Sequence, residues 1–513
     1  MEEFKELYTR QLSRIEELVG RLLHRRYDSA QDLWTIQTDL ARYQIELRAE
    51  IRKEGDLQKE TNEKIAETAS RRAGEWKKEV QAFQNELKRS AMRVHILNHA
   101  LALSKQFGDA IAWLFLKGDE QRIAALAVNE PNPPIPSGPS LQAMLAVAES
   151  FANAGAGFPL IHDVTNYLRV GDLTFCNILD EDDDPLTVEV KAKTLSVEGD
   201  IANMQVSIYA PAMQPKFVDA VGKMRKAPAE VRGDGEDEKP AAETEVQKPA
   251  RRSDPRLTRQ VKRMAHARSL QTAGHLEIIE PKDGNAFPLL PVKIKVRHSY
   301  FHWDVLRELA SAAKAKGYAT RAVDDAFFYA VTYTDEPSVY PWSAEVNLPF
   351  ADEVSEEARG HIPMCDDASK NYICFRTTWD YLSGEVPPYI RPFLLYEIPA
   401  DMRIDILWRR LTITVYINIG KIVEALERAD IKARVPSGEE ELNGLFIPTS
   451  FSETLEDGST VNVRGGNLNE YANKIGFEFM SLDGFVSCIS QSMRAAVETA
   501  KTQADAAGVA TQG

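Results

Sequence analysis

Over the first hundred or so positions apolar residues recur at alternating spacings of three and four, and proline and glycine are scarce. Tyr8, Leu12, Ile15, Val19 and Leu22 form one seam. Leu33, Ile36, Leu40, Tyr43 and Leu47 form a second, and Trp76, Val80, Phe83 and Leu87 begin a third. A seam of this spacing stays on one side of a helix and must be buried against another helix, so the pattern predicts long packed helices. Charged, glycine-marked stretches near Asp28 and around Gly55 predict breaks between them. The result is antiparallel arms or a dimerising coiled coil rather than one rod, and on its own such a region is a bundle without chemistry.

The stretch "ALALSKQFGDAIAWLFLKGDEQRIAALAV" is more apolar, as befits helices docked on a neighbouring domain. "NEPNPPIPSGPS" then carries five prolines in twelve residues and predicts a boundary. Beyond it the period changes. A helix "SLQAMLAVAESFANAG" is followed by strand-like "FPLIHDVTNYL", "GDLTFCNIL", "LTVEVKAK" and "MQVSIYAP" and by a proline-started helix "PKFVDAVGKM". Residues 226–255, rich in Pro, Ala, Glu and Lys, have almost nothing to bury and read as a disordered insertion. From about Gly274 helical and strand periods mix, with "LTITVYINIG" as a strand and "KIVEALERADI" and "FVSCISQSMRAAVETAKTQ" as helices.

Composition narrows this picture. At 513 residues, with 43% apolar and 27% charged residues, the chain reads as a soluble protein of about three domains. These are helical or coiled-coil arms over 1–128, a central α/β domain over 138–280 and an α+β recognition domain over 284–505. The start "MEEFKELYTR" lacks the pattern of a signal peptide and no long apolar run follows, so a cytoplasmic location without membrane association is expected. The four cysteines lack the CxxC spacing of zinc sites. There is no GxxxxGK[ST], HExxH or GxSxG, so any ATP-driven step belongs to a partner subunit.

The chemistry concentrates in "GDLTFCNILDEDDDPLTVEVKAK". Strand alternation puts Glu189 and Lys191 on one face, and the acidic turn has the composition to lay the strand of Asp172 antiparallel beside them. Two adjacent carboxylates repel unless a divalent cation sits between them, and oxygen donors of this kind suit Mg²⁺ or Mn²⁺. A lysine two residues on can then steer a water toward a phosphodiester. The alternative is an amphipathic hairpin whose Glu189 and Lys191 form a surface pair facing water.

These residues resemble the PD-(D/E)XK restriction-endonuclease-like nucleases. Asp172 stands at the first acidic position and Glu189-Val190-Lys191 at the E-x-K tripeptide, with Gly171 where the family writes proline. The resemblance covers about 140–280 and implies a core of helix, three strands, helix and strand, with a long insertion before the second helix. It implies that Asp172, Glu189 and the Val190 carbonyl hold Mg²⁺ or Mn²⁺, that Asp172, Glu189 and Lys191 are catalytic, and that Glu149 on the first helix supports the metal. Gln260 and Arg263 on "RLTRQVKRMAHARSL" correspond to the residues that support the site or touch phosphate.

The net charge of −15 repels polyanions, so a nucleic acid must find a local basic patch. Residues 251–269 provide Arg251, Arg252, Arg256, Arg259, Lys262, Arg263 and Arg268 against Asp254 alone, either a phosphate-tracking stripe or a solvated face balancing the acidic insertion. His162 and Asp163 fall on the expected first strand, and His162 either approaches the site or is a hydrogen-bonded core residue. The expectation is a metal-dependent nuclease acting on DNA in preference to RNA and self-associating through its N-terminal helices. By architectural analogy it resembles effectors of bacterial defence against phage or mobile DNA. The rival expectation is a non-enzymatic coiled-coil assembly or DNA-binding protein with an inert nuclease-like fold.

Overall fold

The computed structural model describes residues 1–23, 30–71, 74–127, 139–154, 157–166, 168, 171–176, 186–198, 201–209, 264, 276–279, 286–289, 297–337, 350–382, 390–436, 447, 449–454, 460–464 and 469–510. They belong to two compact units, Met1–Ala273 and Gly274–Gly513.

In the first unit the heptad-like seams become α1 (Glu2–Leu23), α2 (Ala30–Arg71) and α3 (Trp76–Phe115). Tyr8, Leu12, Ile15 and Val19 of the first seam are buried, as are Ile36, Leu40, Tyr43 and Leu47 of the second. The break expected at Gly55 does not occur. Gly55 is exposed inside an uninterrupted α2, because one glycine among good helix formers costs only about 1 kcal/mol. The chain turns instead at Gly74, whose φ of 62° is the left-handed conformation that glycine adopts without penalty.

Helices α2 and α3 pair antiparallel, with Gln58 Nε2 donating to Ser90 Oγ at 3.1 Å and Arg93 Nε to Glu54 Oε1 at 2.8 Å. At 42 residues α2 is about 60 Å long. Its distal seam residues Leu57 and Ile65 and their counterparts Val80, Phe83 and Leu87 remain half-buried, since two helices alone cannot enclose a seam.

Helix α5 (Pro139–Asn153) precedes a four-stranded antiparallel sheet, β1 (Phe158–Ile161), β2 (Leu173–Cys176), β3 (Leu186–Glu198) and β4 (Ile201–Tyr209), in that order across the sheet. Phe151 of α5 stacks on Phe175 of β2 with centroids 5.2 Å apart, which buries the apolar side of the strands. Two expectations change here. The strand "FPLIHDVTNYL" stops at Ile161, and His162–Val164 form a 3₁₀ turn. The expected sequence of three strands, helix and strand is also altered, because β4 follows β3 directly and pairs with it antiparallel. The strand after Met264, β5 (Leu276–Ile279), pairs with β6 (Ala286–Leu289) in a separate two-stranded sheet. The insertion 226–255 and the helix "PKFVDAVGKM" lie outside the described residues.

The helices dock on the free edge of β1. Gln37 of α2, fully buried, donates Nε2 to Pro159 O at 2.8 Å and accepts the Ile161 amide on Oε1 at 2.9 Å. A side-chain amide thus replaces the missing neighbouring strand at the outward-facing residues, one of them a proline with no N–H to satisfy. Gln44 Nε2 reaches Val164 O at 3.0 Å.

The second unit has a sheet ordered β7 (Tyr318–Val323), β8 (Phe327–Tyr333), β10 (Leu411–Asn418), β9 (Ile373–Thr377), antiparallel throughout. Helix α6 (Trp303–Lys316) packs on β7 and β8, with Trp303 fully buried. Helices α10 (Ile419–Arg428) and α12 (Leu482–Ala510) and strand β10 fall where helical and alternating periods predict them. No described helix is long and apolar enough to cross a membrane.

Candidate functional site

Asp172 sits immediately before β2, where Leu173 pairs with Val188, and its hydrogen bonds reach the residues on either side of Glu189. The ladder does not run through this point regularly. The Asp172 amide donates to Val188 O at 2.9 Å, and the Val190 amide is taken by Asp172 Oδ2 at 2.6 Å instead of by a backbone carbonyl. Both peptides flanking Glu189 are therefore clamped to one residue. The carboxylate hydrogen bond is charge-assisted and short, which places the Asp172 side chain firmly at the β2–β3 border.

Gly171 makes this arrangement possible. Its φ is 80°, and an added Cβ would lie 2.8 Å from Thr187 Cγ2 and 2.9 Å from Val188 O, with Met264 Sδ at 3.3 Å. Proline, locked near φ −65°, cannot occupy such a position, whereas glycine adopts it without penalty.

His162 lies under this turn, 1% exposed. Its amide donates to Asp172 O at 3.0 Å, and its Nδ1 is 3.1 Å from Gly171 O. A carbonyl only accepts, so Nδ1 carries a proton. Nε2 is 2.7 Å from Thr174 Oγ1, which is 2.9 Å from Thr187 Oγ1. A buried hydroxyl–imidazole chain thus runs from the Gly171 carbonyl through His162 and Thr174 to Thr187. Of the two roles open to His162, the geometry supports the hydrogen-bonded core residue, and it lies in the 3₁₀ turn rather than on a strand.

Glu189 is 2% exposed, so a solvent-facing surface pair does not describe it. Lys191 follows on β3, its backbone opposite Ser207 of β4, and its side chain lies outside the described residues. Glu149, on α5, is exposed and accepts a hydrogen bond from Trp34 Nε1 at 3.3 Å. It is not gathered with Asp172 and Glu189, since no group of three or more His, Cys, Asp or Glu suited to a metal ion exists among the described residues. Arg256, Arg259, Gln260, Lys262 and Arg263 lie outside the described residues; within that stretch Met264 is described, helical and buried against Gly171.

Several residues that build the site carry no motif. Thr174 and Thr187 read as ordinary strand residues. Gln37 and Gln44 do leave a trace, uncharged amides seven residues apart, each directly after a seam position. Asp109 is another, a single acid behind Gly108 in the apolar "QFGDAIAWLF". It is 4% exposed and holds Asn166 by two bonds, from the backbone amide to Oδ1 at 2.6 Å and from Nδ2 to Oδ2 at 2.7 Å.

No family model, no curated protein and no solved structure matches this chain.

Proposed function

We propose that the chain is a metal-dependent nuclease whose centre lies at the β2–β3 border, with DNA favoured over RNA as substrate. The observation that carries this reading is that Asp172 is hydrogen-bonded to both residues flanking a buried Glu189. Two carboxylates on adjoining strands supply hard oxygen donors of the kind that Mg²⁺ or Mn²⁺ takes. Asp172, Glu189 and the Val190 carbonyl are the residues to hold it. When bound, such an ion supplies Lewis acidity toward the phosphodiester and an acidified water. Lys191 orients the attacking water, Gln260 and Arg263 orient the phosphate, and Arg256, Arg259 and Lys262 track the backbone of the nucleic acid.

The α2–α3 hairpin favours a second role alongside the first, self-association or assembly with a partner subunit. Its half-buried distal seam supports that role. Taken alone, it is the rival reading of an assembly protein without catalysis.

The test is cleavage of plasmid DNA, single-stranded DNA and RNA with Mg²⁺ or Mn²⁺ by the wild type, Glu189→Ala and Lys191→Ala. Both variants are expected to lose more than the ~100-fold typical of outer-sphere changes. Equal behaviour of all three proteins overturns the enzymatic reading.

A further inference from the structure

The 3₁₀ turn His162–Val164 is held from two sides. From the helices, Gln44 Nε2 binds Val164 O, and Asp109 fastens Asn166 through both carboxylate oxygens. Gly108 of α3 packs so closely that an added Cβ would stand 2.0 Å from Val164 O. On the other side, His162 holds Asp172 O through its amide and Gly171 O through its ring. The turn, three residues long, is therefore a rigid link with one end on two long helices and the other on the peptide that aims the Asp172 carboxylate.

The lengths on either side make this link a lever. The hairpin, whose distal half carries the half-buried seam, is anchored at its proximal end by Gln37, Gln44 and Asp109, all buried. A change in how α2 and α3 cross at their base moves Val164 and Asn166, since close-packed contacts shift together rather than stretch. His162 passes that shift to Gly171–Asp172. There the Val190 N–H to Asp172 bond, 2.6 Å long, is the element that makes or breaks.

We propose that the α2–α3 hairpin regulates the site by setting the position of the Asp172 carboxylate through this turn, with His162 as a positioning residue. The proposal rests on the nuclease reading for its consequence, but the coupling is measurable without catalysis, because the Val190 amide reports where the carboxylate is. The experiment uses the full chain and two variants at the joint, Asn166→Ala, which removes the Nδ2 hydrogen bond to Asp109 and keeps the backbone one, and Gly108→Ala, which wedges α3 from the turn. Amide hydrogen exchange is read at Val190 and, as an internal control, along Leu173–Cys176, beside DNA cleavage with Mg²⁺.

Exchange at Val190 is expected to rise about tenfold or more in both variants, the control amides to hold, and any cleavage to fall in step. Should Gly108→Ala fail to fold, Asn166→Ala decides. Unchanged exchange at Val190, or a rise shared equally by the control amides, overturns the coupling. If Val190 responds as expected in a protein that cleaves nothing, the coupling stands and the nuclease reading falls. If the wild type cleaves and Val190 does not respond, the reverse holds.

Discussion

Each unit contains a buried histidine, a hydroxyl and an aspartate, and the two sets are wired differently. In the second unit His302 Nε2 lies 3.1 Å from Asp324 Oδ2 and its Nδ1 2.8 Å from the Tyr329 hydroxyl. Asp324 also accepts the amide of Leu482, the first residue of α12, at 2.8 Å. In the first unit His162 spends its ring on Gly171 O and Thr174, and the Asp172 carboxylate accepts the Val190 amide.

One histidine satisfies an acid and staples α12 to the β7–β8 turn. The other holds the two carbonyls around an acid, whose carboxylate takes a backbone amide. The lesson is that the same residue types serve different ends: at Asp324 an imidazole and a helix N-terminus meet the carboxylate itself, whereas at Asp172 the imidazole meets the backbone.

The comparison breaks most visibly on paired substitutions. Asp172→Asn keeps an acceptor for Val190 and is expected to lose more than ~100-fold in metal-dependent cleavage with little change in Tm. Asp324→Asn is expected to retain cleavage and to lose about 1–3 kcal/mol of stability by thermal or denaturant unfolding. An Asp172→Asn protein that cleaves normally would sink the functional half of the contrast.

Next in size is Gly171→Pro, which locks φ near −65°. Forcing φ away from 80° and pressing on Val188 O is expected to cost well over the ~1–3 kcal/mol of ordinary backbone strain and to unfold the first unit at a lower temperature. A proline variant as stable as the wild type would show that the turn can be rebuilt.

A smaller effect follows from acid. Burial by itself raises the Asp324 pKa, but the hydrogen bonds from His302 and the Leu482 amide outweigh it and hold the group below its ordinary value. A depressed carboxylate contributes stability that is present above its unfolded pKa of about 3.9 and lost as pH falls through the folded value. The second unit's Tm should therefore drop more steeply below about pH 4 in the wild type than in Asp324→Asn. Parallel Tm curves would remove Asp324 from the acid transition.

Smallest is Gln37→Leu, which leaves Pro159 O and the Ile161 amide without their α2 partner. It is expected to cost about 1–3 kcal/mol, read by chemical unfolding, and a neutral result would mean that water replaces the glutamine.

Much of this molecule is legible in one dimension. The seams from Tyr8 to Leu47 mark buried helical faces, and "LTVEVKAK" is a strand antiparallel to that of Asp172. What local pattern misread, it misread for identifiable reasons. Gly55 looks like a stop because glycine is a poor helix former, yet its neighbours carry the helix through. "FPLIHDVTNYL" looks like a strand because it is apolar and β-branched, yet Gln44 and Asp109 seize Val164 and Asn166 and fold the second half into a turn.

What the order of residues decided alone is everything carried by short-range periodicity: where helices and strands form, which of their sides are apolar, and which acids share a hairpin. Such properties depend on spacings of two or of three and four residues, all visible within a dozen positions. Tertiary structure alone decided that a glutamine of α2 closes the edge of β1 and that His162 supports the Asp172 peptide instead of its carboxylate. It also decided that Glu189 is buried rather than wet. Those outcomes hinge on hydrogen-bonding geometry between separate elements, 9 residues apart for His162 and Gly171 and 122 for Gln37 and Pro159, and no periodicity encodes such a pairing.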